Sequence, residues 1–533
     1  MHEITSHPVE TPVSGEMVTA GMEEIASAFQ SYLADESRLA ADSVEKLFFP
    51  LNAGDIAAVI REAHADGKTV TISAARTGIT GAAVPRSEYV ISLEKMTGIL
   101  ELTRNGEAFN VTVEPGISLQ ELAARVTDKD IDAAVPGASD LSRDESDYFY
   151  PVDPTEKTAS IGGTCATNAS GARTYHYGPT RNFVTGLKVI LDNGEALDIP
   201  RGKYTFAADG GFSLKDSRGH TRRLQLPSYH LPDVKHAGGY FTAEGMDLVD
   251  LFIGSEGTLA IICEVTVKVI PVDTMLFSAI AFFDNEDHAV DFIIRTRESE
   301  DIQALALEFF DGNSLDVLRR KKQKEGGGSK IREIPSYARA AVYFEQSYAD
   351  EDGLYESMDQ WDELLTISGS SMDNTWGGME ESEKQMLRDF RHEIPEGVNT
   401  IISERKREDD RIHKIGTDMS VPDEHLREIY HYYRDQCGSS DLEYVIFGHI
   451  GDNHLHVNIL PQTYEDVQKA KELYLDFARK VVEMGGSVAA EHGIGKIKKE
   501  FLKVMFGDQG IQEMKNLKQV LDPNAMFSPG NLF

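Results

Sequence analysis

Residues 153–180 read DPTEKTASIGGTCATNASGARTYHYGPT, and their centre, Ser160–Asn168 (SIGGTCATN), is built almost entirely from small side chains. Such a segment lets backbone N–H groups come close to an anion. Two further segments share the property: Ser73–Gly81 (SAARTGITG), directly after the strand-like Thr69–Ile72, and Gly254–Thr258 (GSEGT). Each alone reads equally well as a tight turn; the three are candidate contacts for a phosphate-bearing cofactor. None fits G-x-G-x-x-G, and no G-x-x-x-x-G-K-[ST] occurs. A Rossmann nicotinamide site and a P-loop both lose support.

Outward from these segments, apolar spacing predicts helices over 23–33 and 55–65. Strand-like runs follow at 69–72, 89–93, 110–113, 187–191 and 265–270. The alternation is too irregular for a parallel βαβ sheet, so the fold class expected is α+β. Composition changes after Pro271, where 275–283 and 338–345 read as strands carrying Phe282, Phe283, Tyr343 and Phe344 on one sheet with helices behind it. The block RRKKQKEGGGSKIR, 319–332, reads as a mobile surface loop around three glycines, with a docking site for an acidic electron-transfer partner or a membrane surface as the alternative. Thr463 and Asp466 have capping-box spacing before a long amphipathic helix that ends at Gly485-Gly486. The tail LDPNAMFSPGNLF reads as an irregular strap. No repeat of 20–50 residues is present.

The chain has 533 residues, enough for two or three cores. Its formal net charge of −35 repels nucleic acid and anionic lipid, and disfavours anionic substrates unless a local basic site draws them in. Three scattered cysteines, Cys165, Cys263 and Cys437, support neither a disulfide framework nor a cysteine-ligated iron–sulfur cluster. The first residues lack the basic and apolar regions of a signal peptide, and no apolar run is long enough to span a bilayer. The expected compartment is the cytoplasm, with peripheral membrane association as an alternative.

The most chemical stretch is Gly448–Asn458, GHIGDNHLHVN. Gly451-Asp452-Asn453 is turn chemistry between strand-like 444–447 and 454–460. Period-two alternation puts His454, His456 and Asn458 on one face and Leu455, Val457 and Ile459 on the other. His449 stands just before the turn, and Ala489–Gly495 (AAEHGIG) adds Glu491 and His492. Two imidazoles and a carboxylate suit zinc, manganese or iron(II), with positions left open for substrate. Surface histidines of incidental spacing are the bland alternative.

Taken in order, DPTEKTASIGGTCATNASGARTYHYGPT, LFIGSEGTLAII, GHIGDNHLHVN, AAEHGIG and LDPNAMFSPGNLF make the chain, from about Pro50 to Phe533, resemble the vanillyl-alcohol oxidase/p-cresol methylhydroxylase (PCMH) superfamily of FAD-linked oxidases. The branch is that of D-lactate dehydrogenase, D-2-hydroxyglutarate dehydrogenase and the glycolate oxidase flavin subunit. The resemblance implies a two-subdomain FAD-binding domain and a cap domain with an antiparallel sheet and flanking helices. Expected boundaries are an N-terminal helical segment at 1–44, the FAD domain at 45–273, the cap at 274–487 and a returning C-terminal segment at 488–533.

It also implies FAD contacts at Ala74, Ala75, Arg76, Thr77, Gly78, Thr80 and Gly81, then at Asp153, Ala159, Ser160, Gly162, Gly163, Ala166, Thr167, Asn168 and Gly171. Glu256, Gly257, Ile261 and Asn531 complete the set. Arg76 replaces a family glycine, either aiming a guanidinium at the pyrophosphate or twisting the loop. No histidine stands in that loop, which favours non-covalent FAD over attachment, leaving the cap domain as the alternative point of attachment. Metal ligands fall on His449, His456 and Glu491, the catalytic base on His492, and substrate contacts on Asn458, Arg391 and Lys414. The family's Gly-Asn is Asn453-His454 here, so His454 is either a further ligand or a neighbour. The threonine four residues after the arginine is Pro395.

The implied activity is FAD-dependent, metal-assisted oxidation of a D-2-hydroxyacid, D-lactate first, by hydride transfer to flavin N5. D-2-hydroxyglutarate dehydrogenase and glycolate oxidase flavin subunit are the alternatives in class. A phenol-type oxidase is disfavoured by the metal-like motif, and a flavin-binding electron-transfer subunit without its own substrate chemistry is the alternative outside that class. Without an iron–sulfur domain, electrons pass to a separate acceptor: an electron-transfer flavoprotein, cytochrome, iron–sulfur protein, quinone or oxygen. A homodimer is allowed for.

Overall fold

The computed structural model describes residues 1–12, 21–41, 44–272 and 275–533; the expected domain junction at 273/274 and part of the N-terminal reading lie outside them. The fold is α+β. Lys46–Phe48, Tyr89–Ser92 and Val70–Ser73 form a parallel sheet with Tyr89–Ser92 in the middle. Helix Ala53–Asp66 packs against it through Ile56, Val59, Ile60 and Ala63, all fully buried. Asn52 caps that helix and Gly67 ends it in the left-handed region.

Antiparallel strands Glu195–Pro200, Val184–Ile190, Ile261–Pro271, Ala108–Val113 and Ile99–Asn105 lie side by side in that order. Their inward faces build the largest core with Phe109, Val189 and Val265.

Beyond residue 275 a larger antiparallel sheet follows, running Thr375–Gly378, Met275–Phe283, Ala340–Tyr348, Ala306–Phe310, Tyr444–His449, His454–Ile459 and Ile415–Gly416. Trp361, fully buried, stacks on Phe344 with centroids 4.2 Å apart and fixes helix Glu351–Ile367 on one face. Helix Tyr464–Glu483 begins with the capping box of Thr463 and Asp466.

The basic block is a correction. Residues 319–325 complete helix Gly312–Glu325, and only the three glycines turn, as a 3-10 segment. Lys321 pairs with Glu393, and Lys324 with Glu404, both on helix Glu381–Lys406. Acidic residues far along the chain pair with Lys321 and Lys324, so a mobile loop does not describe 319–325, while 329–332 lie outside any helix or strand.

After the second sheet the chain crosses back. Thr80 O accepts from Lys496 N at 2.9 Å, and Leu532 N donates to Gly495 O at 3.0 Å. Gly495 has φ 53°, and a Cβ there would fall 2.2 Å from Thr80 O, so only glycine permits this crossing. The tail then lies along Val70, whose N and O bond Met526 O and Ser528 N.

Candidate active site

The strands Tyr444–His449 and His454–Ile459 pair so that His449 faces His454 and Phe447 faces His456. Asn453 closes the turn at φ 52°, a left-handed conformation that asparagine tolerates. Leu455, Val457 and Ile459 enter the core, which turns His454 and His456 to the opposite face. Gly448 leaves room for His456: a Cβ there would lie 2.8 Å from the imidazole Cδ2.

Glu491 and His492 arrive on the returning segment. The N–H groups of Ala490, Glu491 and His492 all converge on the buried Asp418 carboxylate, at 3.2, 3.0 and 3.0 Å. Burial alone would push Asp418 up, but His492, Lys498 (2.6 Å) and His454 hold it well below the usual carboxylate range. His449, His454, His456 and Glu491 each offer a ligand atom, all within 4.8 Å of one another.

Glu491 Oε2 lies 3.4 Å from His449 Nε2 and 3.8 Å from His454 Nδ1. Its Oε1 lies 3.7 Å from His456 Nε2 and 3.2 Å from His492 Nε2. The outer nitrogens are held: His449 Nδ1 by Glu308 at 2.5 Å, and His456 Nδ1 by Thr417 O at 3.1 Å. Burial lowers His454 to about 4 and takes His456 well below its ordinary value, so both are neutral donors. At His449 burial opposes the charged form, yet Glu308 outweighs it and raises the group to about 9.

The donor set fits a divalent metal. Glu308, Asp418, Asp452 and Glu491 crowd this centre, and among the described residues the permanent cations in contact with them are Lys235 (3.0 Å from Glu491, 3.7 Å from Asp452) and Lys498. The fit rests on the donors themselves, three imidazoles and one carboxylate whose ligand atoms lie within 4.8 Å of one another.

A cavity of about 380 Å³ runs from this centre into the other half of the molecule. His449, Glu491 and His492 line one end; Ala74–Gly78, Ala159, Ser160, Gly162, Gly163, Ala166, Thr167, Gly171, Glu256 and Gly257 line the rest. Ile72, Leu93, Ala260 and Ile262 give it an apolar wall. Ile261 points into a core cluster instead, as strand alternation requires, and its neighbours Ala260 and Ile262 face the cavity.

Thr80, Gly81, Asp153, Asn168 and Asn531 stand behind the lining. Asn531, for example, donates to Ala82 O and Glu256 O and accepts from Lys496. Arg76 keeps a glycine-like φ of 59°. Its guanidinium turns back to Ala74 O (2.6 Å), Glu94 (3.2 Å) and the Tyr32 ring (4.0 Å).

Arg391 sits on helix Glu381–Lys406 beside the centre. Burial opposes its charge, but Glu308, which also holds His449, raises its pKa, with Tyr343, Asp153 and Glu345. Pro395 lies one turn later and has no N–H for the Arg391 carbonyl. Asn458 is buried on the His456 strand. Lys414 makes no contact with the histidines among the described residues; burial of its ammonium lowers its pKa, and Arg38 adds to this. Sequence reading missed Lys235, Glu308, Asp418 and Ser170, whose hydroxyl donates to Glu491 Oε2 at 3.4 Å. Asp418 lies four residues from Lys414, and Ser170 lies within the opening segment 153–180, between Asn168 and Gly171; Lys235 and Glu308 carried no local signal.

Small-residue loops beside a polar centre at one end of an apolar-walled cavity are the arrangement of a flavin-binding oxidoreductase, and the comparisons with known proteins agree. The chain belongs to the FAD-linked oxidase family: residues 44–200 match the FAD binding domain, and 277–532 match the C-terminal domain of FAD linked oxidases. It is 27% identical to D-lactate dehydrogenase of Anaerostipes hadrus, over 90% of this chain and 87% of that protein. It is 28% identical to D-2-hydroxyglutarate dehydrogenase of Xanthomonas citri pv. viticola, over 91% and 88%. Glycolate oxidase subunit GlcD of Bacillus subtilis is 25% identical, over 91% and 88%. The fold is shared with alkyldihydroxyacetonephosphate synthase at a TM-score of 0.58 and 14% identity, over 92% of this chain and 77% of that one. No helix among the described residues is long and apolar enough to cross a membrane.

Proposed function

We propose that this enzyme oxidises a D-2-hydroxyacid, D-lactate first, to the 2-oxoacid, using non-covalent FAD and a divalent metal (zinc, iron or manganese), and delivers the electrons to a separate acceptor. The observation that carries this reading is the single cavity shared by His449, Glu491, His492 and the small-residue loops. His449, His456 and Glu491 would hold the metal, and the loops at 74–78, 160–167 and 256–257 the FAD. When bound, FAD supplies the two-electron acceptor and the metal a Lewis acid for the substrate's oxygens.

The chain's own residues do the rest. Arg391 pairs with the substrate carboxylate, which locally overcomes the repulsion of a −35 chain. His492 takes the hydroxyl proton on its ring: it is the one imidazole of the group with a substantially exposed side chain, and it lines the cavity. Asp418 holds the His492 backbone at 3.0 Å and faces its ring Nδ1 at 3.5 Å, fixing the direction from which the proton is removed. The apolar wall keeps water from the reacting carbon.

A second substrate reading, D-2-hydroxyglutarate, is favoured by Lys157. Burial lowers its pKa, Asp153 opposes this, and Arg391 and Arg173 add to the lowering; Lys157 and Arg391 would meet a second carboxylate, Arg173 being paired with Glu345 at 2.7 Å.

The test is anaerobic dye reduction with D- and L-lactate, D-2-hydroxyglutarate and glycolate, alongside acid precipitation of the yellow protein. Expected are reduction by one D-2-hydroxyacid, flavin released to the supernatant, and a fall of roughly 10²–10⁴ in turnover for His492→Ala. No reduction by any of the four, or absence of flavin, overturns the reading.

A further inference from the structure

We infer that His454 is a fourth protein ligand of the metal centre, which makes the donor set three imidazoles and one carboxylate. This rests on the metal reading above and assigns the one histidine that the family resemblance leaves without a role.

His454 is completely buried; its Nε2 stands 3.1 Å from Asp418 Oδ1, while Nδ1 has no hydrogen-bond partner among the described residues. A buried imidazole nitrogen left without a partner loses its hydration with nothing in return. Surface histidines avoid that cost by facing water, which the fully buried Nδ1 of His454 cannot do. A ligand in the centre would remove it.

Orientation supports the same assignment. A metal-bound histidine directs one nitrogen at the ion and gives the other to an acceptor that sets tautomer and ring angle. His449 shows this pattern with Glu308 behind it, and His456 shows it with Thr417 O. His454 repeats it in reverse: Nδ1 faces Glu491 Oε2 at 3.8 Å, and Nε2 lies 3.1 Å from Asp418 Oδ1. Its ring centroid is 4.3 Å from that of His456 and 5.4 Å from that of His449, so all three rings converge. The first two would bind through Nε2 and His454 through Nδ1.

Two consequences follow. A tetrahedral ion would be saturated by protein and could not take substrate, so a chelating hydroxyacid requires an ion that expands to five or six ligands. The added imidazole also moves selectivity away from magnesium and calcium and towards zinc, iron or cobalt.

The test uses full-length protein stripped of metal and titrated with Co²⁺, for wild type, His454→Asn and His456→Ala, with flavin content recorded for each as a check on folding. Expected are one equivalent bound by wild type, affinity at least about ten-fold weaker in His454→Asn with an altered visible Co²⁺ band, and loss of binding in His456→Ala. X-ray absorption of the wild type with zinc bound should count three imidazoles; it needs no variant and decides the matter where His454→Asn does not fold. Two imidazoles, or a His454→Asn protein with wild-type affinity and spectrum, overturn the fourth ligand while leaving the three-ligand site intact. No Co²⁺ binding by wild type overturns the metal reading itself, and this inference with it.

Discussion

Asp418 and His492 are joined twice: the carboxylate accepts the His492 backbone N–H at 3.0 Å, and its Oδ2 stands 3.5 Å from ring Nδ1. The same group binds Lys498 at 2.6 Å, so one fully buried side chain ties the strand 419–420 region to the segment carrying Glu491 and His492. Asp418→Asn should keep an acceptor for part of this network while leaving the Lys498 ammonium without its anion. Expected are a stability loss of about 3 kcal/mol and turnover reduced by roughly 10- to 100-fold with a smaller change in KM. Thermal unfolding and steady-state kinetics check both; unchanged turnover would show that His492 needs no such support.

Arg391→Ala should raise the KM for the hydroxyacid and lower kcat/KM by roughly 10²-fold, because the guanidinium both pairs with the carboxylate and aligns it. Arg391→Lys should recover only part, since a point charge replaces a planar fork. The measurement is the KM-against-kcat split on the best substrate of the screen.

Arg76→Gly suits the φ of 59° but removes the contacts to Glu94 and Tyr32. Flavin content should stay at one equivalent, while proteolysis between residues 21 and 41 should speed up. Loss of flavin in this variant would mean that the guanidinium serves the cofactor.

Asp311 caps helix Gly312–Glu325, taking Ser314 N at 2.7 Å and its hydroxyl at 2.6 Å, and burial pushes its carboxyl up to about 8 from 3.8. The folded chain therefore holds a proton that the unfolded chain has released across that interval. Sign follows directly: this group's stabilisation is fully present below about pH 4 and is lost as pH rises through about 8, by on the order of a few kcal/mol. Asp311→Asn keeps the cap and should flatten that slope. Melting temperatures of both proteins across the interval decide it.

Much of the site was legible because its chemistry is concentrated in two short glycine-bounded segments, and strand alternation alone placed His454 and His456 on one face. The partners behind them were not. Glu308 meets His449 only because strand Ala306–Phe310 pairs with Tyr444–His449, and Lys235 meets Glu491 across 256 residues of sequence. The basic block was misread for the same reason, since the carboxylates that pair with Lys321 and Lys324 lie 72 and 80 residues further on. Ile261 shows a further limit: a motif names a segment, but strand periodicity decides which of its side chains face the cavity.

The crossing at Thr80 and Gly495 also bears on how the molecule comes into being. On the ribosome, the loops that line the cavity emerge first and the three histidines later, while Glu491, 321 residues beyond its neighbour Ser170, is among the last groups delivered. Closure of so long a loop is a late and slow event in folding. A chain clipped before residue 491 thus lacks the Glu491 carboxylate and His492 together, and with them the candidate ligand and the candidate base.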